Sequence, residues 1–396
     1  MTVAGGRMRT LGFPITAWSA VNALGGSSAQ VLDALHHGRS GLAAAPPGTP
    51  FATVCGSVTA PIDPLTGDLA PYDFRNNRMA CLALSEIAAP LEAARERWGA
   101  ARVALAVGSS TAAMDATEQA YRTHARTGSL PCGFDVQRHA SPEGLLHVIR
   151  SVTGIAGPGL VVSTACSSSA KVFASAARLI DAGLADAALV GGVDSLCLTT
   201  LYGFRSLELL SKEPCRPFDA ERSGISIGEG AGFALLERTG AGVALVGVGE
   251  SADAYHMSTP HPEGLGARLA MERALAAASV APEEIGYLNL HGTATRSNDA
   301  AEGRAVRDVF GSRTPCSATK GAHGHLLGAA GITEALVAIM SLERGWLPGT
   351  ANTRALDREC GCHVLLEGEP ADARYVLSNS FGFGGNNCSL VFGRTP

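Results

Sequence analysis

The chain is expected to fold as an α/β protein made of two duplicated halves around mixed, mostly parallel buried sheets, and three observations predict this. At 396 residues it exceeds what one hydrophobic core usually fills. Its strands read as unbroken apolar runs, such as Val103-Ala104-Leu105-Ala106-Val107, the pattern of sheets covered on both faces. The order of features in the first half also recurs in the second. Cys166 opens an Ala/Ser-rich helix closing at Asp181-Ala182-Gly183, and Gly228-Glu229-Gly230-Ala231-Gly232 later feeds an apolar strand. His325 likewise precedes a Gly/Ala-rich helix closing at Glu343-Arg344-Gly345, and Gly382-Phe383-Gly384-Gly385 later feeds Ser389-Leu390-Val391-Phe392. From helix start to closing strand each unit spans about 65 residues, as a duplication requires. Such a pseudo-twofold would set the Cys166 helix and the His325 segment on facing sides of one site.

Composition narrows the function. Hydrophobic residues are 46% and charged residues 17%, with 48 glycines, which argues against disorder and suits tight strand-to-helix turns. The formal charge of -5 and the scattered basic residues leave no footprint for nucleic acid, so an acidic partner must be met by a local patch. Residues 1–11 carry Arg7 and Arg9 without the apolar run of a signal peptide, and no stretch reaches a membrane span. A cytoplasmic, reducing location is therefore expected. The ten cysteines (55, 81, 132, 166, 197, 215, 316, 360, 362 and 388) lack a disulfide-scaffold spacing and are expected to be free thiols.

Taken in order, the chain has an irregular start, a short helix over 29–36 and a Gly/Pro-rich loop over 38–50. A long helical pattern over 78–98 is interrupted at Pro90, and a buried strand follows over 102–108. Residues 116–126 are helical in pattern, and 132–142 read as a surface excursion. The strand 160–163 leads into Val161-Val162-Ser163-Thr164-Ala165-Cys166-Ser167-Ser168-Ser169, where a helix begins that runs through Phe173, Ala177 and Ile180 to Gly183. A strand over 187–193, a polar loop over 211–224 and a strand over 233–237 complete the first half. The boundary is placed at Thr239-Gly240-Ala241-Gly242, giving halves 1–239 and 240–396. Beyond it, strands are expected over 243–248, 285–290, 375–378 and 389–392, and helices over 267–278, 299–310 and 328–343.

Four segments can carry chemistry. Cys166 sits at a helix N-terminus, where unpaired N–H groups and the helix dipole favour the nucleophilic thiolate. His291 in Asn289-Leu290-His291-Gly292-Thr293-Ala294-Thr295 stands where a strand ends, the place at which open α/β sheets bind ligands. Thr319-Lys320-Gly321-Ala322-His323-Gly324-His325 lies just before a helix. Asn379-Ser380-Phe381-Gly382-Phe383-Gly384-Gly385-Asn386-Asn387 is a glycine loop able to bring backbone N–H groups against a ligand. Other motifs fail on context. Gly224-Ile225-Ser226-Ile227-Gly228 matches a nucleophile elbow but follows no buried strand. Gly247-Val248-Gly249-Glu250-Ser251-Ala252 imitates a dinucleotide fingerprint without the required helix, and reads as a strand-end turn. Cys360, Cys362 and His363 are too tightly spaced for a structural zinc.

Together, Thr164-Ala165-Cys166-Ser167-Ser168, His291-Gly292-Thr293-Ala294-Thr295, Lys320 with Gly324-His325-Leu326-Leu327-Gly328, and Asn379-Ser380-Phe381-Gly382-Phe383-Gly384-Gly385 resemble the elongating β-ketoacyl-acyl-carrier-protein synthases. Arg216-Pro217-Phe218-Asp219 and Asp253-Ala254-Tyr255-His256-Met257 extend the likeness over nearly the whole chain. The Cys-His-His set separates it from thiolases, which use a second cysteine, and from initiating synthases, which use Cys-His-Asn.

The resemblance implies a thiolase-like five-layer αβαβα fold and a decarboxylative Claisen condensation of a Cys166-bound acyl chain with malonyl-acyl-carrier protein. It implies an oxyanion hole from the Cys166 and Phe383 backbone N–H groups, and enolate stabilisation by His291 and His325. Lys320 and Glu334 would hold His325 and the local charge network, with Asp299 supporting. Thr293 and Thr295 would bind the phosphopantetheine arm, and Phe383 would gate the half-reactions. No metal and no further cofactor is implied, since substrates ride on the carrier protein, and the expected assembly is a homodimer or a heterodimer with a ketosynthase-like subunit. A non-catalytic subunit resembling the chain-length factors is the alternative, but those lack the cysteine. Three departures stand out: Leu11-Gly12-Phe13-Pro14-Ile15-Thr16 replaces the usual glycine-containing opening, so that strand is expected to be altered; Asn386 stands where threonine is commoner; and His323 adds a third imidazole. Thr111 stands where a bulky aliphatic gate is usual, so a wider, more polar acyl tunnel suited to a specialised pathway such as aryl-polyene or polyketide assembly is expected.

Overall fold

A computed structural model describes residues 12–394; the Arg7 and Arg9 region lies outside the described residues. In the first half the chain runs β1 (Phe13–Val21), α1 (Ser28–His36), α2 (Arg75–Glu86), α3 (Ala88–Trp98), β2 (Val103–Gly108) and α4 (Met114–Thr127). It continues through α5 (Glu143–Thr153), β3 (Gly159–Val162), α6 (Ser168–Asp181), β4 (Ala187–Asp194), α7 (Leu198–Ser206) and β5 (Gly230–Glu237). The second half holds β6 (Val243–Ala252), α8 (Leu265–Ala278), β7 (Ile285–Asn289), α9 (Arg296–Phe310), β8 (Pro315–Ser317), α10 (Ala330–Arg344), β9 (His363–Val364), β10 (Tyr375–Gly382) and β11 (Asn386–Arg394).

Eleven strands lie in the order β9-β8-β7-β10-β11-β6-β1-β5-β4-β2-β3. Counted outward from the β6–β1 junction, five strands of each half repeat in the same order, β1-β5-β4-β2-β3 and β6-β11-β10-β7-β8, and β9 adds an edge strand to the second. In each, the strand second from the junction is antiparallel to both neighbours while the rest of the half points one way. The duplication read from helix and glycine spacing is therefore a duplication of topology.

Alternation along the strands sorts the layers. In β2, Val103, Leu105 and Val107 pack outward against Met79, Leu84, Leu91 and Ile149 of α2, α3 and α5. Ala104 and Ala106 face inward, toward Phe173 and Ile180 of α6. That inner layer pairs α6 with α10 between the two half-sheets, and α10 is buried from Ala330 to Leu342, so it is apolar all round rather than striped. On the far side Met271, Leu275 and Val306 of α8 and α9 cover Leu288, Leu377 and Val391. The result is the five-layer αβαβα arrangement. Close approach at its centre depends on small residues: a Cβ on Gly108 would sit 2.5 Å from Ser169 N, and one on Gly331 2.4 Å from Ala170 N.

Several expectations need correction. The opening is not irregular over 13–21: Pro14 is accommodated near the end of a nine-residue strand, and the altered sequence shows instead as a bulge between Ile15 and Ala17. The long helical pattern over 78–98 is two helices that meet at Ile87, with Pro90 tolerated in the first turn of α3. Helices α5 and α7 were not anticipated, and the 132–142 excursion contains the short helix Val136–His139. Gly247 and Gly249 do not end β6, which continues to Ala252; their missing side chains let α8 lie close, since a Cβ on Gly249 would fall 1.9 Å from Ala270 O.

Candidate active site

The nucleophile segment turns sharply between β3 and α6. Ala165 adopts a left-handed φ of 53°, an uncommon backbone state for a residue with a Cβ, and it aims the next residue, Cys166, into the interior. Ser168 Oγ accepts from Thr164 N at 2.9 Å and Ser167 Oγ donates to Thr164 O at 2.9 Å, which clamps the turn from inside. Ser169 Oγ accepts from Ile332 N at 2.8 Å, stitching the start of α6 to the start of α10. The two central helices therefore meet near their N-terminal ends, and Cys166 and His325 are carried on the segments leading into them.

His325 is held through its backbone: its N–H donates to Ser226 O at 2.7 Å and its carbonyl accepts from Gly228 N at 2.9 Å. The string that resembled a nucleophile elbow thus serves as a rail for the histidine. Its Nε2 lies 2.9 Å from Cys166 Sγ, and its ring stands edge-on to His291 with centroids 5.4 Å apart. All three side chains are buried, and their ligating atoms fall within 4.8 Å of one another.

Lys320 fixes the state of His291. Its buried ammonium faces three acceptors: His291 Nδ1 at 3.1 Å, the His291 carbonyl, and Glu334 Oε1 in a close ion pair. Three acceptors match the three N–H bonds of an ammonium. Nδ1 of His291 is therefore the acceptor nitrogen, its proton sits on Nε2, and the ring presents a donor to the cavity. Burial, with the Lys320 charge second, holds both His291 and His325 well below the usual imidazole range, so both rings are neutral. The Lys320–Glu334 pair touches His291 directly; the expectation that it holds His325 is corrected to that extent.

Burial also pushes the Cys166 thiol up to about 12, against the opposing pull of Lys320 and of the Phe383 N–H directed at the sulfur. The thiolate expected from the helix N-terminus is thus outweighed by desolvation, α6 beginning two residues later at Ser168. The resting sulfur is a thiol beside a neutral imidazole.

A cavity of about 140 Å³ opens onto this cluster, lined by Cys166, His291, His325, Thr293, Thr295 and Phe383 among others. The two threonine hydroxyls hydrogen-bond each other at 3.0 Å, and Phe383 lies against Phe204 with centroids 5.4 Å apart. Thr111 does not line this cavity. Its Oγ1 donates to buried Asp194 Oδ1 at 2.7 Å and accepts from Ser195 N at 3.2 Å, so its hydroxyl is engaged by a buried acid. His323 also points away, bonded to Gly324 O and Thr319 Oγ1, and Asn386 Oδ1 accepts from Lys171 at 3.4 Å.

Glu302, Arg222 and Asp194 support the site and were missed in the sequence, whereas Asp299 was expected. Glu302 of α9 accepts from His291 N at 2.7 Å and Gly292 N at 2.8 Å, and burial raises its carboxyl to about 7. Asp299, one turn earlier on the same helix, accepts from Phe218 N and Ala294 N, while Arg222 reaches Thr295 O at 3.3 Å and Asp299 at 3.6 Å. The i,i+3 spacing of Asp299 and Glu302 was the available signal for Glu302. Asp194, at the end of β4, collects Ser109, Ser110 and Thr111. Cys360, Cys362 and His363 do not form a metal-capable group among the described residues, and all ten cysteines are free.

A duplicated five-layer fold with a cysteine and two histidines converging where its central helices meet is that of the thiolase-like condensing enzymes. The N-terminal domain of the β-ketoacyl synthases matches residues 15–241 and the C-terminal domain residues 243–354, and the chain belongs to the β-ketoacyl synthase family. It is 37% identical over 306 residues to nodulation protein E of Rhizobium meliloti strain 1021, covering 74% of this chain and 76% of that one. It is 35% identical over 322 residues to 3-oxoacyl-[acyl-carrier-protein] synthase 2 of Vibrio cholerae, with the same coverage. Among solved structures it is similar to the ketosynthase ApeO in complex with its chain length factor ApeC from Xenorhabdus doucetiae (TM-score 0.90, 39% identity, 97% of this chain and 98% of that chain). No helix among the described residues is long and apolar enough to cross a membrane.

Proposed function

We propose that this chain is an elongating ketosynthase: it condenses a Cys166-bound acyl chain with malonyl-acyl-carrier protein to give 3-oxoacyl-acyl-carrier protein and carbon dioxide. The observation that carries this reading is the 2.9 Å approach of His325 Nε2 to Cys166 Sγ, with the His291 ring edge-on beside it. The Cys166 sulfur attacks the carbonyl of an incoming acyl thioester with His325 Nε2–H donating to it; the thiol proton is given up to solvent and the departing pantetheine thiolate takes one up. The oxyanion formed in that step is met by the Cys166 and Phe383 N–H groups.

In the second half-reaction malonyl-carrier protein loses carbon dioxide, and the electron pair of the broken C–C bond becomes an enolate. Its oxygen accepts from Nε2–H of His291, the tautomer that Lys320 dictates, and from His325. The enolate carbon bonds to the acyl carbon, and the Cys166 sulfur leaves as the thiolate and takes a proton from solvent. Thr293 and Thr295 hold the phosphopantetheine arm, Phe383 gates the two half-reactions, and Asp299, Glu302 and Glu334 position the loops. The reaction as proposed draws on no cofactor of the enzyme's own.

The chain-length-factor alternative is disfavoured by the intact cysteine–histidine cluster. The similarity to a ketosynthase in complex with its chain length factor supports a dimeric assembly with a like or unlike subunit, and the similarity to a 3-oxoacyl-[acyl-carrier-protein] synthase supports a carrier-protein partner; a specialised pathway such as aryl-polyene or polyketide assembly is part of the proposal. The test is mass spectrometry of the enzyme after incubation with saturated and with polyenoyl or aryl carrier-protein thioesters, followed by malonyl-carrier protein. Acylation of Cys166 and a product heavier by one two-carbon unit are expected. No adduct on Cys166 with any thioester overturns the reaction, and equal or better use of long saturated chains overturns the specialised pathway.

A further inference from the structure

Cys166, His291 and His325 have the composition of a zinc ligand set, one thiol and two imidazoles, with ligating atoms within 4.8 Å of one another. A metal needs a lone pair on the nitrogen that faces it, and a ligating histidine ordinarily donates its other N–H to a carboxylate or carbonyl. Lys320 enforces the opposite at His291: it donates to Nδ1 at 3.1 Å and so keeps the proton on Nε2, the only ring nitrogen left to face a metal. The same ammonium occupies Glu334 Oε1, while Glu334 Oε2 lies 3.8 Å from His291 Nδ1 with no hydrogen-bond partner of its own among the described residues. A carboxylate–histidine pair that would favour a metal is thus present in outline and blocked by one side chain.

The geometry points to a second role for Lys320, as a positioning residue that excludes zinc-class divalent ions from the Cys166–His291–His325 cluster by locking the His291 tautomer and placing a cation behind the ring. Without it, His291 turns its proton to Glu334 and offers Nε2 as a ligand. Binding is then a ligand exchange in which Cys166 releases its thiol proton to solvent, its sulfur and two imidazole nitrogens displace five of the six waters of the aqua ion, and one water remains in a four-coordinate site. No bond of the protein breaks apart from S–H. This role goes beyond the condensation and does not depend on turnover.

The test compares the full-length chain with Lys320→Met, which keeps length and removes charge and donors, and with Lys320→Arg. Cobalt(II) chloride is the spectroscopic probe and zinc chloride the competitor; the second measurement is the rate of iodoacetamide alkylation at the Cys166 peptide. Lys320→Met is expected to show thiolate-to-cobalt absorption, and one equivalent of zinc is expected to slow Cys166 alkylation by about tenfold or more, the usual scale of an altered outer shell. Wild type and Lys320→Arg are expected to show neither. If burying Glu334 unpaired prevents folding, Lys320→Met/Glu334→Gln removes both charges and is expected to bind cobalt likewise. Equal protection in wild type, no absorption in either folded variant, or absorption that survives Cys166→Ala in the Lys320→Met background overturns the proposal. Acylation mass spectrometry on wild type tests the condensation separately.

Discussion

Two buried groups, His323 and Glu302, should titrate over the same acid range with opposite effects on stability, and substitution can separate them. Burial lowers His323 from 6.5 to about 4. Its folded pKa is depressed, so between these values the unfolded chain binds more protons: the contribution is complete above 6.5 and is lost as pH falls toward 4. The shift corresponds to roughly 3 kcal/mol, with a slope of about +1 kcal/mol per pH unit at mid-range. Glu302 is raised from 4.5 to about 7 by burial. Its folded pKa is elevated, so its contribution is complete below 4.5 and is lost as pH rises toward 7, again by roughly 3 kcal/mol and with a slope of about -1. The two nearly cancel in the native chain. Urea unfolding at intervals from pH 4.5 to 6.5 should therefore show His323→Gln with a slope lower than wild type by about 1 kcal/mol per pH unit and Glu302→Gln with a slope higher by the same amount. The slopes matter and the intercepts do not, because each substitution also costs hydrogen bonds. Slopes for both variants superimposable on wild type would refute the assignment of these groups as a desolvated neutral imidazole and a desolvated acid.

The remaining predictions concern the chemistry and its supports. His291→Ala and His325→Ala should each slow carbon dioxide release from malonyl-carrier protein by about 10²–10³, the cost of one oxyanion donor, as followed by radiolabelled substrate; a loss below tenfold for both would remove them from the enolate site. Gly292→Ala should disrupt His291, because φ is 39° and the new Cβ would lie 2.3 Å from Ala318 Cβ; single-turnover condensation should fall by about 10², while acylation of Cys166 falls less. Thr111→Val should lower unfolding free energy by about 1–3 kcal/mol, since Asp194 loses a donor and Ser195 N an acceptor, with acyl-chain preference unchanged. A shift in chain preference at full stability would restore the gate reading of that residue.

What the sequence made legible was periodicity and local chemistry. The apolar run of β2 declares a strand buried on both faces, and the facing positions of Cys166 and His325 follow from the repeat. What stayed hidden depends on partners distant in sequence. Glu302 looks like an ordinary acid on a polar helix until α9 is docked under the His291 loop, and Arg222 looks like a loop cation until Asp299 and Asp357 close on it. Thr111 is a further case: Asp194, 83 residues away, determines which way its hydroxyl turns. The state of Cys166 was misjudged because a helix N-terminus is visible in a sequence while the depth of burial that opposes it is not.

The duplication explains why one site rather than two results. In each half the loop before the central helix meets its counterpart at the junction of α6 and α10, so each can supply only one wall of the cavity. The first half places the sulfur there; the equivalent loop of the second places His325, and the loop after the next strand inward, β7, places His291. A nucleophile and its two donors then come from different copies of the repeat, fixed to each other through Ser169 and Ile332 at the helix starts. Lengthening either pre-helix loop by a residue would move sulfur and imidazole apart without unfolding either half. This places the cost of such an insertion in the 2.9 Å contact itself rather than in the core.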